Sequence, residues 1–230
     1  MTNFALIPAR AGSKRIKNKN IKHFCGQPLI AYSIDVAKKS GLFSDIVVST
    51  DCPNIAELSK SLGAIVPFYR PDELANDFAG TRDVIEHAIV ELESQNKLYD
   101  YCCCIYATAP FLQTTYLKQG LDILKTDSSK AFAFSTTTFA FPVQRALTTK
   151  NGHLTPLFKE HMYTRSQDLD EAIHDAGQFY WGSTKDFLTD KVIFSEHSSP
   201  VNIPRHLVQD IDTQEDWDRA ELMYKAYMNL

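Results

Sequence analysis

The stretch Phe4-Ala5-Leu6-Ile7-Pro8-Ala9-Arg10-Ala11-Gly12-Ser13-Lys14-Arg15-Ile16-Lys17-Asn18-Lys19-Asn20 decides how the rest of the chain is read. Its first four residues are an unbroken apolar run, as expected of a strand buried on both faces. Small residues follow, and then positive charge. Counting Lys22, six cationic side chains crowd the loop: Arg10, Lys14, Arg15, Lys17, Lys19 and Lys22. Downstream, Pro28–Ser40 carries an apolar stripe at Leu29, Ile30, Ile34 and Ala37 and ends at Gly41, which predicts a helix. A buried strand, a loop and a helix in that order is the first unit of an α/β sheet.

Further outward the alternation continues. Asp45–Thr50, Ala64–Phe68, Tyr101–Tyr106 and Ala131–Ser135 are predicted strands. Pro53–Leu62, Thr81–Ser94, Thr115–Leu124 and Thr213–Met228 are predicted helices, with Tyr69–Ala79 a loop. The pattern predicts an α/β fold: a Rossmann-like, mostly parallel sheet with helices on both faces. Ligands in such sheets bind beyond the carboxyl ends of the strands. That places the basic loop, Thr50-Asp51 and Thr108-Ala109-Pro110 on one rim. Residues 136–177 break the alternation. They are expected to form an inserted arm that packs on another subunit, within a single domain spanning 1–230.

The totals narrow the partner. A formal net charge of -4 argues against a nucleic-acid binder, so the positive charge of the loop is local and its anion small. No apolar run is long enough to span a membrane, and Met1-Thr2-Asn3-Phe4 lacks the features of a signal peptide. Five cysteines, an odd number without framework spacing, suggest reduced thiols and a cytoplasmic setting. Three of them are consecutive, Cys102-Cys103-Cys104. Neighbouring strand residues point to opposite faces, so a packed strand is expected here rather than a metal site.

The loop is neither a Walker A motif nor G-x-G-x-x-G. Ala11-Gly12-Ser13 nevertheless lets backbone N–H groups approach an oxyanion. Arg10, Lys14 and Lys19 add charge that suits a polyphosphate better than one carboxylate. Lys17 and Lys22 are expected to face solvent, and Arg15 has no assigned role.

These residues, together with Lys19-Asn20 and Gly26-Gln27-Pro28-Leu29-Ile30, resemble the opening of the CMP-nonulosonate synthetases, the cytidylyltransferases that activate sialic acid and its bacterial relatives. Ala11 stands where that family commonly has Gly, and Lys17 where Pro is frequent. The resemblance implies that Arg10, Gly12, Ser13, Lys14 and Lys19 hold the triphosphate of CTP and Asn20 its ribose. Arg70-Pro71-Asp72-Glu73-Leu74-Ala75 is similar to the family's R-P-x-x-L-A segment, which implies that Arg70 meets the cytosine. Ala107-Thr108-Ala109-Pro110 is similar to its P-T-S-P turn.

Asp210 and Asp212 are two apart, so in an extended segment both carboxylates face one side. Carboxylates joined by phosphate oxygens are a magnesium environment. Asp212 or Thr213 also suits a helix N-cap, with Glu215 and Asp216 in the first turn. The resemblance favours magnesium at Asp210 and Asp212.

For the second substrate, Arg165-Ser166-Gln167-Asp168-Leu169 and His174-Asp175-Ala176-Gly177-Gln178-Phe179-Tyr180-Trp181 resemble the branch that activates pseudaminic acid. Sialic acid enzymes carry an Arg in the place of His174 and often a Gln in the place of Tyr106. The implied sugar contacts are Tyr106, Thr108, Arg165, Gln167, His174 and Gln178, although Arg165 also suits a neighbouring subunit and His174 a structural role at a turn. The expected activity is Mg2+-dependent transfer of CMP from CTP to a nonulosonic acid by a homodimer, with Arg10, Lys14, Lys19 and Asp212 carrying catalysis. Alternatives are a sialic or legionaminic acid enzyme and a non-catalytic nucleotide-binding domain. A glycosyltransferase would need an Asp-x-Asp near mid-chain, and none occurs there.

Overall fold

The computed structural model describes residues 2–228. In its first half the elements are β1 (Asn3–Pro8), β2 (His23–Phe24), β3 (Gln27–Pro28), α1 (Leu29–Ser40), β4 (Asp45–Ser49), α2 (Pro53–Ser61), α3 (Thr81–Ser94) and β5 (Tyr101–Ile105). There follow α4 (Thr114–Thr126), β6 (Phe132–Thr138), β7 (Leu147–Lys150), β8 (His153–Pro156), β9 (Ile173–Ser183), α5 (Thr184–Phe187), β10 (Ser198–Asn202) and α6 (Gln214–Met228).

Six strands make the central sheet, in the order β10-β6-β9-β5-β1-β4. β1 pairs in parallel with β4 and β5, and β10 in parallel with β6. β9 is antiparallel to both of its neighbours. The alternation of side chains splits the core in two. Ala5, Ile7 and Cys103 pack under α1, α4 and α6, with Leu29, Ile34, Leu121 and Trp217. Phe4, Leu6, Cys102 and Cys104 pack against Ile85, Ala88, Ile89 and Leu92 of α3. The three consecutive thiols thus serve both faces of a buried strand, as expected. Burial pushes Cys104 up to about 12, so it stays a thiol and packs as a small hydrophobe.

Three differences from the sequence expectation have physical causes. Ala64–Phe68 forms only an isolated parallel bridge, Ile65 to Val47, at the sheet edge, where Pro67 offers no N–H to extend a ladder. β9 was hidden because its first half is polar and breaks register. Between Phe134 and Thr136 the pairing shifts, Gly177 takes φ 60°, and the N–H groups of Gln178 and Phe179 both donate to Ser135 Oγ, at 3.0 and 3.1 Å. Its second half is core: Trp181 Nε1 donates to the Leu117 carbonyl, and Gly120 of α4 admits the indole where a Cβ would come within 2.7 Å. β10 was hidden by Pro200, which is tolerated because β10 is an edge strand.

Residues 136–138 and 173–175, expected in the arm, pair with each other in β6 and β9. The chain leaves the sheet over 139–172. There β7 and β8 form a hairpin turned by Asn151-Gly152, both at positive φ as a tight hairpin turn requires. Phe141, Leu147, Leu154, Leu157 and Tyr163 of this arm are exposed. Among the described residues no helix is long and apolar enough to cross a membrane.

Candidate active site

The carboxyl ends of β1, β4 and β5 open onto a cleft of about 700 Å3. It collects Arg10, Ser13, Lys14, Lys19, Asn20, Arg70, Tyr106, Thr108, Asp210 and Asp212, side chains scattered over two hundred positions of sequence. The basic loop reaches it because β1 is an interior strand that ends at the rim beside β4: Ala9 N donates to the Ser49 carbonyl and Ala11 N to Asp51 Oδ1, both at 2.9 Å. Ala11 takes no positive φ, so Ala serves there as Gly would. Gly12 is exposed beside the cleft without lining it.

The six cations divide. Arg10 Nη2 and Lys14 Nζ both grip the carboxylate of Asp77, at 2.7 and 2.5 Å. Lys19 Nζ donates to the Ile211 carbonyl at 2.6 Å and to Asp212 Oδ1 at 3.2 Å. Arg15, without a role in the sequence reading, pairs with Asp212 Oδ2 at 2.7 Å. Lys17 is exposed as expected. Lys22 is not simply solvent-facing: its Nζ lies 4.2 Å above the Trp217 ring and donates to Gln214. Asn20 is buried and donates to the Arg10 carbonyl, pinning the two ends of the loop together.

Arg70 is 6% exposed, so it is not a surface arginine. Its Nε donates to Ser49 Oγ and its Nη2 to the Ser49 carbonyl. Burial lowers its pKa to about 10, offset in part by the charge of Asp51, and it remains cationic at neutral pH.

On the opposite wall, Ile211 is buried and Asp210 and Asp212 flank it on the cleft side, the alternation expected of an extended segment. The Asp210 carboxyl is held above its ordinary range, first by desolvation against the cleft wall and then by the charge of Asp212. Thr213 takes the N-cap role: its hydroxyl accepts from Asp216 N, and Asp216 Oδ2 accepts from Thr213 N and Oγ1. Among the described residues no three His, Cys, Asp or Glu side chains converge to hold a metal on their own. Two carboxylates on one wall of the cleft, facing a cationic loop on the other, nevertheless suit a hard divalent cation that takes its remaining oxygens from a bound ligand.

Tyr106 and Thr108 line the cleft beyond β5. Arg165, Gln167, His174 and Gln178 do not. Arg165 is exposed in the arm and forms a bidentate pair with Asp168, at 2.6 and 3.0 Å. Gln167 is exposed beside it. His174 packs against Phe139 with the rings tilted and their centroids 4.8 Å apart. Gln178 is buried in the sheet, with Nε2 donating to the Leu207 carbonyl. Asp77 and Thr81 are cleft residues that sequence reasoning missed. The ion pairs of Asp77 span more than sixty residues, a separation that carries no local signal.

The family model "Cytidylyltransferase" matches residues 4–228. The chain is 46% identical to the pseudaminic acid cytidylyltransferase of Campylobacter jejuni, over 98% of this chain and 97% of that one. It is 30% identical to the CMP-N,N'-diacetyllegionaminic acid synthase of Legionella pneumophila, over 96% and 95%. Among solved structures, a CMP:2-keto-3-deoxy-manno-octonic acid synthetase complexed with CTP superposes with a TM-score of 0.73 over 99% of this chain and 100% of that one; at 14% identity this likeness concerns the fold alone. The cationic loop after an interior strand, the carboxylate pair facing it and a family match over nearly the whole length agree: the chain belongs to the cytidylyltransferase family.

Proposed function

We propose that the protein transfers CMP from CTP to the anomeric hydroxyl of a nonulosonic acid, with pseudaminic acid the preferred sugar, and releases pyrophosphate. The observation that carries the proposal is one cleft holding Arg10, Lys14 and Lys19 on one wall and Asp210 and Asp212 on the other. A module that only binds nucleotide has no use for a carboxylate pair opposite its phosphate cradle. The 46% identity to a pseudaminic acid enzyme against 30% to a legionaminic acid enzyme favours pseudaminic acid over the runner-up.

In this reading Ser13 and the loop backbone, with Arg10, Lys14 and Lys19, hold the triphosphate. Asn20 faces the ribose. Arg70, fixed by Ser49, meets an acceptor of the cytosine. The sugar hydroxyl attacks the α-phosphorus, the bond to the bridging oxygen of pyrophosphate breaks, and the hydroxyl proton passes to solvent. Charge that develops on the leaving pyrophosphate falls among Arg10, Lys14 and Lys19, and Arg15 stands ready once Asp212 turns to another cation. Such reactions depend on positioning and electrostatics more than on a dedicated base. Asp210 and Asp212 would hold Mg2+, which when bound supplies charge neutralisation at phosphate and lowers the pKa of a nearby hydroxyl.

Tyr106 and Thr108 face the sugar. Arg165, Gln167 and His174 belong to the arm or its root, and they take part in sugar binding through a homodimer in which the exposed apolar residues of the arm are covered. Gln178 supports the sugar end from beneath. The free thiols suit a cytoplasmic reaction. The test is pyrophosphate release from CTP and Mg2+ with and without pseudaminic acid, with ATP, GTP and UTP as controls. Sugar-dependent release with CTP is expected. Absence of release with every nonulosonic acid would overturn the reading.

A further inference from the structure

Four cations of the basic loop are paired within the chain itself, and the two carboxylates that hold them are not alike. Arg15 and Lys19 share Asp212, while Arg10 and Lys14 share Asp77. Asp212 stands on the opposite wall and, in the proposed reading, receives a divalent cation in exchange. Asp77 has no such exchange on offer: among the described residues its ion-pair partners are the two cradle cations alone. An anion that enters between Arg10 and Lys14 must therefore take the place of a carboxylate.

The segment that carries Asp77 is fastened by these same charges. Asn76 shapes it locally: its Oδ1 accepts the N–H groups of Phe78 and Ala79 at 2.7 and 3.0 Å, and its Nδ2 donates to the Glu73 carbonyl at 2.7 Å. Gly80 N donates to Asp83 at 2.9 Å, again a neighbour in sequence. Among the described residues, the hydrogen bonds that reach 75–79 from farther away come from Lys14 and Arg10. Lys14 Nζ donates to Asp77 Oδ2, Arg10 Nη2 donates to Asp77 Oδ1, and Arg10 Nη1 donates to the Ala75 carbonyl at 3.4 Å. Phe78 is 95% exposed, so no apolar anchor sits beside Asp77. One oxygen of the carboxylate faces a guanidinium and the other an ammonium, as two oxygens of one phosphate group would.

We infer that Asp77 is a specificity-determining residue that stands in for a phosphate between Arg10 and Lys14 and sets the threshold an anion must pass to enter the cradle. The inference rests on the proposed reading of the cleft as a triphosphate site. Every entering anion is taxed by the same factor, the fraction of molecules in which the two cations are released. A single phosphate or a free carboxylate, that of the acidic sugar included, binds weakly and is kept off by the tax. A triphosphate also reaches Ser13 and Lys19 and binds in spite of it. The pairs are exposed, and exposed ion pairs are individually worth little, so the factor is about three- to tenfold.

The test uses Asp77→Asn in the full chain, which keeps the shape of the side chain and removes its charge. Inorganic tripolyphosphate and inorganic phosphate are titrated into the free protein by calorimetry. The variant should bind both anions about three- to tenfold more tightly than the wild type, and KM for CTP should fall by the same factor. A residue that merely supports the cradle would have the opposite sign: weaker binding in the variant, or no change, overturns the inference. A second readout needs neither anion. The rate at which an amine-reactive reagent labels Lys14, followed by mass spectrometry, should rise about threefold in the variant as the carboxylate that engages the amine is lost. An unchanged rate overturns the inference. A faster rate in a protein that binds no tripolyphosphate supports the pairing of Asp77 with the cradle and sinks the reading of the cleft as a triphosphate site instead.

Discussion

The cleft and the arm are built on opposite plans. The cleft between the basic loop and Asp210–Asp212 has members anchored near buried strands and tied to one another: Asn20 to Arg10, Lys19 to Ile211, Arg70 to Ser49. The arm over 139–172 instead exposes Phe141, Leu154, Leu157 and Tyr163, and of its sugar candidates Arg165 pairs with Asp168 and Gln167 is exposed. A site assembled on a sheet rim can be set by one fold. A site that needs an exposed apolar arm needs whatever covers that arm. The nucleotide half and the sugar half should therefore respond differently to substitution.

The largest effect is expected at the carboxylate pair. Asp212→Asn should lower turnover on the order of 100-fold or more with a nearly unchanged melting temperature, because Asp212 is partly exposed and, in the proposed reading, holds the divalent cation opposite the phosphates. Titration of Mn2+ into the free protein with CTP checks the same point without turnover: the wild type should bind and the variant should not. Next, Arg10→Ala and Lys19→Ala should each raise KM for CTP roughly 10- to 100-fold, as loss of a charge-assisted hydrogen bond predicts, and leave KM for the sugar nearly alone. A parallel rise for both substrates would break the division of the molecule into two halves.

The arm should show the reverse pattern. Arg165→Ala should raise KM for the sugar by about tenfold and spare CTP binding. Leu154→Glu together with Leu157→Glu should move the protein toward a monomer in sedimentation, with sugar turnover falling as it does. A monomer that keeps its sugar KM would show that the second copy contributes nothing to the site. The smallest effect is expected at the cap beneath Asp212. Thr213→Ala should cost about 1 kcal/mol of stability. Hydrogen bonds from Thr213 hold the Asp216 carboxyl below its ordinary range. A carboxylate with a lowered folded pKa adds stability above its unfolded pKa and loses it as pH falls through the folded value. The gap between wild type and variant should therefore shrink in acid.

The same contrast explains what could be read in advance. Phe4–Ile7, α1 with Gly41 behind it, and α3 were legible because apolar period and stop signals are local. The place of the basic loop at the cleft was legible because its charge is concentrated directly after a strand. Asp210 and Asp212 were legible because the alternation around buried Ile211 is local too. Asp77, Arg15 and Thr81 were not, since each acquires its role from a partner more than twenty residues away. β9 was missed because a central antiparallel strand with a glycine kink and polar first half does not alternate. Lys22 was misjudged because Trp217, which it covers, lies at the other end of the chain.

The central claim is the identity of the transferred group and of its acceptor. The most direct test gives the enzyme limiting CTP, Mg2+ and equal amounts of pseudaminic, legionaminic and sialic acids, and identifies the CMP-linked products by mass. The account predicts CMP-pseudaminic acid in clear excess. A majority of CMP-sialic or CMP-legionaminic acid would contradict the assignment of the sugar, and no CMP-linked product at all would contradict the reaction.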